Sequence, residues 1–139
     1  MERPATPAGP IGLILPTFAQ DLPSERDRPL PGPSGDGAPV DTFTGLAAVS
    51  REAEEAGADA LWACDHLFWH GPTLECLTAL TVAAGATARA MIGSCILQLP
   101  LRQPAAVAKQ AATIQTLSGG RFVLGVGVGS HPGEYVRAG

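Results

Sequence analysis

The chain has 139 residues, a length that suits one compact domain and leaves little room for two. Apolar residues make up 45% and charged residues 16%, enough to build a core and too apolar for a disordered chain. A formal net charge of -4 offers no basic face for phosphates, so nucleic acid and anionic membranes are excluded as expected partners and small molecules are left.

In chain order, residues 1–10 are rich in Pro and small residues and read as a flexible tail, without the apolar run of a secretory signal. The short apolar run IGLIL, Ile11 to Leu15, suits a buried strand that Pro16 ends. Residues 20–40 hold so much Pro and Gly that a long loop is expected: a lid, a binding loop or a disordered insertion. A helix follows, with Asp41 as N-cap, an apolar stripe at Leu46, Val49, Ala53 and Ala56, and Gly57 as its left-handed stop. ALWAC, Ala60 to Cys64, is a second buried strand. Thr73 can cap the next helix, in which Leu77, Leu80 and Ala84 share a face, and MIGSCILQL, Met91 to Leu99, is a third strand. Pro104 falls at the first position of a further helix with Val107, Ala111 and Ile114 on one stripe and Gly119 as its stop. RFVLGVGVG, Arg121 to Gly129, is a fourth strand.

Strands that are apolar throughout and alternate with single helices indicate an α/β fold, a parallel sheet covered by helices. Periodicity alone does not separate a barrel from an open doubly wound sheet. No apolar stretch approaches the ~20 residues that span a bilayer, so no membrane helix is expected and the cytoplasm is the expected compartment. The cysteines, Cys64, Cys76 and Cys95, are odd in number and lack C-x-x-C spacing, as reduced thiols would be.

Two segments carry candidate chemistry. GVGVGSHPGE, Gly125 to Glu134, fails the dinucleotide pattern because Ser130 stands where the third glycine belongs, and it lacks the Lys of a phosphate loop. A Rossmann-like nicotinamide module is therefore disfavoured. Gly125, Gly127 and Gly129 do share one strand face, which a ring or another chain could approach closely, tight packing being the plain alternative. In WACDHLFWH, Asp65 and His66 follow directly on the second strand, and strand C-termini face the ligand in parallel α/β folds. Asp65 could orient His66, cap a turn, or do both; a histidine here is either a structural hydrogen-bonder or a catalyst. Cys64, His66, His70 and Cys76 lack the paired clamp of a zinc site, so no metal is expected. No serine elbow or paired-carboxylate site is legible, which weakens hydrolase readings.

Taken in order, GLILP, EAEEAGADALWACDH and IGSCILQLPLRQPAAVAKQAATIQTLSGGRFVLGVGVG resemble the bacterial luciferase-like monooxygenase superfamily. The wording is closest to members that use the deazaflavin coenzyme F420, with FMN-using relatives as the alternative. The resemblance implies a (β/α)₈ TIM barrel with the flavin-like ring at the C-terminal ends of the strands. Asp65 and His66 match an acidic-His pair in which the His assists hydride or proton transfer, so His66 is the expected catalytic residue. Ser94, Cys95 and Ile96 match a third-strand bulge where such proteins often hold a non-proline cis peptide against the ring, here between Cys95 and Ile96. Gly127, Val128, Gly129 and Ser130 match the fourth-strand end that lines the cofactor. Some deazaflavin dehydrogenases carry a catalytic Glu where Ser130 stands, so that acid is absent. Gln115 replaces a usual Asp, which removes an expected salt bridge to Arg121 and puts stability in question.

A closed barrel needs eight strands and typically ~250 residues, so residues 11–139 are expected to form about the first four β/α units of a partial TIM barrel. The function this implies is a flavin- or deazaflavin-dependent oxidoreductase that acts on a small organic substrate by hydride transfer or oxygenation, incomplete in this chain. The alternative is a non-catalytic fragment that associates with another chain, or as a homo-oligomer, through open sheet edges.

Overall fold

The apolar runs and the helical stripes between them fold as alternating parallel strands and helices. In the computed structural model, residues 9–17, 45–69 and 71–139 are described. Most of the expected 1–10 tail, the 20–40 loop, the Asp41 cap and His70 lie outside the described residues. The strands are β1 (Gly12–Ile14), β2 (Ala60–Ala63), β3 (Met91–Ser94), β4 (Leu97–Gln98), β5 (Phe122–Val123) and β6 (Val126–Gly127). The helices are α1 (Leu46–Glu55), α2 (Cys76–Ala86), α3 (Pro104–Leu117) and α4 (Pro132–Ala138), and a 3-10 turn spans Leu99–Leu101. No helix of the described residues is long and apolar enough to cross a membrane.

Strands β1, β2, β3 and β5 pair in that order, all parallel, as successive barrel strands must. The registers run Ile14 with Trp62, Trp62 with Gly93, and Gly93 with Val123. The expected third and fourth strands are each split in two at the same level, and their upper halves, β4 and β6, pair in a second parallel ladder. The break in the third strand is the peptide between Cys95 and Ile96, which is cis. At Gly125, between β5 and β6, the carbonyl accepts both Leu97 N–H and the Ser94 hydroxyl, each at 2.8 Å. A Cβ there would stand 2.3 Å from the Ser94 carbonyl oxygen, so only glycine lets the two strands bend together.

One sheet face is the core. Leu61, Ala63 and Ile92 pack under Leu77, Leu80, Ala83 and Ala84 of α2, with Leu46 of α1 and Val107 and Ile114 of α3 at the sides. On the other face the Trp62 indole lies across Gly12 and Gly93, where an added Cβ would come within 2.7 and 2.2 Å of its ring atoms. Ile14, Met91 and Val123 on that face remain exposed, Ile14 to 64%. It is the face that a (β/α)₈ barrel turns inward.

Several local expectations need correction. In α1 the buried side chains are Leu46, Ser50 and Glu54, while Val49 is 39% exposed and Ala56 is exposed. The helix is rotated because Glu54 is drawn inward by polar partners. Its carboxylate accepts Ala88 N–H at 3.1 Å and both Arg89 and Ala90 N–H at 2.7 Å. Helix α2 starts two residues later than a Thr73 cap requires. Glu75 caps it, accepting Leu77 N–H at 3.2 Å and Thr78 N–H at 2.7 Å. Thr73 instead donates to the His66 carbonyl at 3.4 Å. Pro104 does open α3, and Gly57 and Gly119 follow their helices at φ of 99° and 66°.

Arg121 does without the salt bridge that an Asp at 115 would supply. Its guanidinium donates to the carbonyls of Ser118 at 2.7 Å, Thr87 at 2.9 Å and Ala84 at 3.2 Å, and to Ala90 O and Thr87 Oγ1. Gln115 ties the same turn by accepting Phe122 N–H at 3.0 Å. The 87–90 turn is thus gripped from two sides, its N–H groups by Glu54 and its carbonyls by Arg121.

Burial pushes the Glu54 carboxyl up, but the N–H groups of Ala90, Arg89 and Ala88 and the Arg89 charge outweigh it and lower the pKa from 4.5 to about 2. A folded pKa below the unfolded one gives stability that is fully present above 4.5 and lost as pH falls towards about 2. Urea midpoints measured across and above that window should fall in the native chain as acid is added. Glu54→Gln should start lower, by about 1–3 kcal/mol for the unpaired turn donors, and stay flatter within the window. Parallel acid limbs in the two proteins would contradict this role.

Candidate active site

Strand β2 runs out at Ala63, and the next three residues, Cys64, Asp65 and His66, turn over the C-terminal end of the sheet. Beside them rise Cys95 and Ile96, then Gln98, and on the far side Gly127, Val128, Gly129 and Ser130. Together these residues line an open cleft of about 350 Å³. Of the nine residues singled out from sequence, eight line it. Ser94 does not: it is buried behind the wall, where its hydroxyl holds Gly125 O.

The glycines have a specific partner. Gly125 faces the Ser94 backbone, and Gly127 and Gly129 leave room for the side chains of Ile96 and Gln98 to lie against their segment. A Cβ on Gly127 would come 2.9 Å from Ile96 Cδ1, and one on Gly129 would come 2.1 Å from Gln98 Oε1. Of the readings open for these glycines, tight packing is the one observed, against the neighbouring segment of this same chain and not beneath a helix. Gly129 also has a φ of 75°, which suits glycine.

After Gly129 the chain turns into α4, opened by Pro132. The turn is anchored by Tyr135, whose hydroxyl donates to Val128 O, and by Arg137, 6.0 Å above the Phe68 ring. It brings in Glu134, whose side chain is fully buried. Glu134 Oε2 lies 2.8 Å from His66 Nδ1 and accepts Gln98 Nε2–H at 2.9 Å, and Oε1 accepts Phe68 N–H at 3.0 Å. Burial pushes the Glu134 carboxyl up, but the Phe68, Gln98 and His66 contacts outweigh it and hold the group below the usual carboxylate range. An ionised Glu134 accepts the proton that Nδ1 carries and so fixes the orientation of the imidazole. The Trp69 ring packs against the imidazole with centroids 4.0 Å apart.

Asp65 does not orient His66. Its Oδ2 accepts Gln98 N–H at 2.8 Å, its carbonyl accepts Gln98 Nε2–H at 2.8 Å, and its Oδ1 pairs with Arg102, which also reaches Glu75 Oε1 at 2.6 Å. Burial pushes the Asp65 carboxyl above its usual range, against Gln98 N–H and Arg102, which hold the charged form. Gln98 thereby bridges both carboxylates, while its buried Oε1 has no hydrogen-bond partner among the described residues. Cys76 points away into the core and donates to Ala63 O at 3.6 Å. Among the described residues no group of three or more His, Cys, Asp or Glu is placed to hold a metal.

Glu134, Gln98 and Arg102 escaped the sequence reading. A signal existed for two of them: Gln98 is a polar residue inside an apolar run, and Glu134 sits in the first turn after a glycine-rich strand end.

The family model for luciferase-like monooxygenases matches residues 21–139. The F420-dependent glucose-6-phosphate dehydrogenase of Amycolatopsis mediterranei is 37% identical over 99 residues, 68% of this chain and 30% of that protein. The 5,10-methylenetetrahydromethanopterin reductase of Methanopyrus kandleri is 33% identical over 91 residues, 66% of this chain and 25% of that protein. Among solved structures, the oxygenating constituent of 3,6-diketocamphane monooxygenase from Pseudomonas putida, in complex with FMN, superposes with a TM-score of 0.71 at 21% identity. That match covers 95% of this chain and 33% of the other, so the chain spans about a third of the length of the relatives it matches. The sequential parallel order and the outer helices are those of the first β/α units of a TIM barrel, and the chain belongs to the luciferase-like monooxygenase family.

Proposed function

We propose that the chain forms the proton-transfer side of an oxidoreductase that works with a flavin-like ring, coenzyme F420 in the first place and FMN in the second, on a small organic substrate. The observation that carries this reading is His66, held by the buried Glu134 at the rim of a cleft at the strand C-termini. The relatives named for F420 dependence support the first choice of ring.

The residues present fit such a ring. The cleft volume lies in the range of small-molecule sites, about 300–1,000 Å³. Cys95, Ile96, Gly127, Gly129 and the exposed Val128 side chain make a largely apolar wall, and Gln98 Oε1 behind it has no hydrogen-bond partner among the described residues. No Lys or Arg lines the cleft among the described residues, so these groups would hold a ring rather than a phosphate. When bound, the ring supplies the centre for hydride transfer or oxygenation.

His66 then takes a proton from the substrate, or returns one, at Nε2. Glu134 stabilises the imidazolium that forms and keeps the ring from turning. Since Ser130 occupies the place of a second acid, His66 carries the proton step without it. The cytoplasm is the proposed compartment.

Because the chain covers a third of a family member, turnover is tested in a version completed with a relative's remaining strands. His66→Ala should reduce kcat by ~10²-fold to 10⁴-fold with little loss of ring affinity. Glu134→Gln, which keeps an acceptor for Phe68 N–H, should lower kcat in the same direction and leave KM nearly unchanged. Near-normal kcat in His66→Ala together with a lowered Tm would make His66 a structural hydrogen-bonder.

We propose further that the chain by itself associates, because among the described residues the face carrying Ile14, Met91 and Val123 is apolar and uncovered and β1 and β5 are open edges. Light scattering should give a mass above that of one chain. A monodisperse monomer with a sharp thermal transition would contradict this.

A further inference from the structure

Two of the three thiols stand side by side in the cleft wall. Ala63 and Ser94 are the last registered pair of β2 and β3. The next amide, Cys95 N–H, donates to Ala63 O at 2.8 Å, the bond that a parallel ladder makes when Cys95 lies opposite Cys64. Neighbouring strands run about 4.8 Å apart, within the Cα separation of about 4.4–6.8 Å that a disulfide accepts. Side chains alternate along a strand, so both thiols project to the face of Trp62 and Gly93, and both line the cleft. Cys95 is exposed and Cys64 half-buried, whereas Cys76 is sealed in the core against Ala63 O.

We propose that Cys64 and Cys95 form a dithiol site that a low-molecular-weight disulfide converts to an intramolecular disulfide across β2 and β3. The exposed Cys95 attacks first, as its thiolate: its sulfur bonds to one sulfur of the small disulfide, whose S–S bond breaks and releases one thiolate. Cys64 then loses its proton and attacks the Cys95 sulfur, and the second small thiolate leaves. In sum two protein thiols are oxidised, one small disulfide is reduced to two thiols, and the protein loses two hydrogens. Burial raises the Cys64 thiol pKa, with Cys95 adding to the effect, which agrees with Cys64 acting second. In a reducing compartment the bond would be transient, a reversible lock on one wall of the cleft.

The test uses the reduced chain and glutathione disulfide in native buffer, followed by alkylation, digestion without reduction, and mass spectrometry. Cleavage after Glu75 separates Cys64 from Cys76, and cleavage after Arg89 separates both from Cys95. The expected product has lost two hydrogens and carries a peptide that joins Cys64 to Cys95, with Cys76 still a thiol. Cys64→Ser should instead accumulate a stable glutathione adduct on Cys95. A lasting adduct on Cys95 in the native sequence, a link through Cys76, or a link between two chains would each overturn the proposal.

Discussion

The site depends on how closely the segment after β5 runs beside the segment after β3. Three glycines meet three side-chain-bearing residues, Gly125 with Ser94, Gly127 with Ile96 and Gly129 with Gln98, at separations where an added Cβ would meet the Ser94 backbone or displace the Ile96 and Gln98 side chains. That contact bends both strands at one level, builds one wall of the cleft and aims the chain past Gly129 into α4. Along this path Glu134 reaches His66, although 68 residues separate the two in sequence. Dispersion contacts and backbone hydrogen bonds of the ladder thus position a charge-assisted hydrogen bond.

The two ends of the sheet divide the work. At the N-terminal end, Glu54 and Arg121 hold the N–H groups of Ala88, Arg89 and Ala90 and the carbonyls of Thr87 and Ala90 in one turn. At the C-terminal end, two buried carboxylates have opposite balances. Burial dominates at Asp65, whereas three donors dominate at Glu134, so Glu134 is the more readily ionised and stands beside the imidazole. Gln98 keeps the two apart while touching both. Barrels built from β/α units in general carry their ligand sites at the C-terminal end of the sheet, where the cleft of this chain lies.

How much of this was legible in the sequence varies with the range of the interaction. The strand order, the Pro104 start and the Gly57 and Gly119 stops follow from local pattern and backbone chemistry, and they hold. The strand-end position of His66 and the cleft side followed from the parallel fold, and eight of the nine residues singled out line the cleft, Ser94 lying behind its wall. The buried face of α1 was not legible, since Glu54 looks like a solvent residue until the 87–90 turn is seen beside it. Nor was the partner of His66. Asp65 is adjacent in sequence, but its carboxylate is committed to Gln98 N–H and Arg102, and a contact across 68 residues has no local signature.

The central claim is that the glycine contact positions Glu134 on His66. Nitrogen NMR of the His66 ring tests it most directly, comparing the native chain with Gly129→Ala, in which the new Cβ must displace Gln98. The native ring should show a proton on Nδ1 held in a hydrogen bond to Glu134, and Gly129→Ala should lose that hydrogen bond. An unchanged Nδ1 proton in Gly129→Ala would show that Glu134 reaches His66 without the glycine contact.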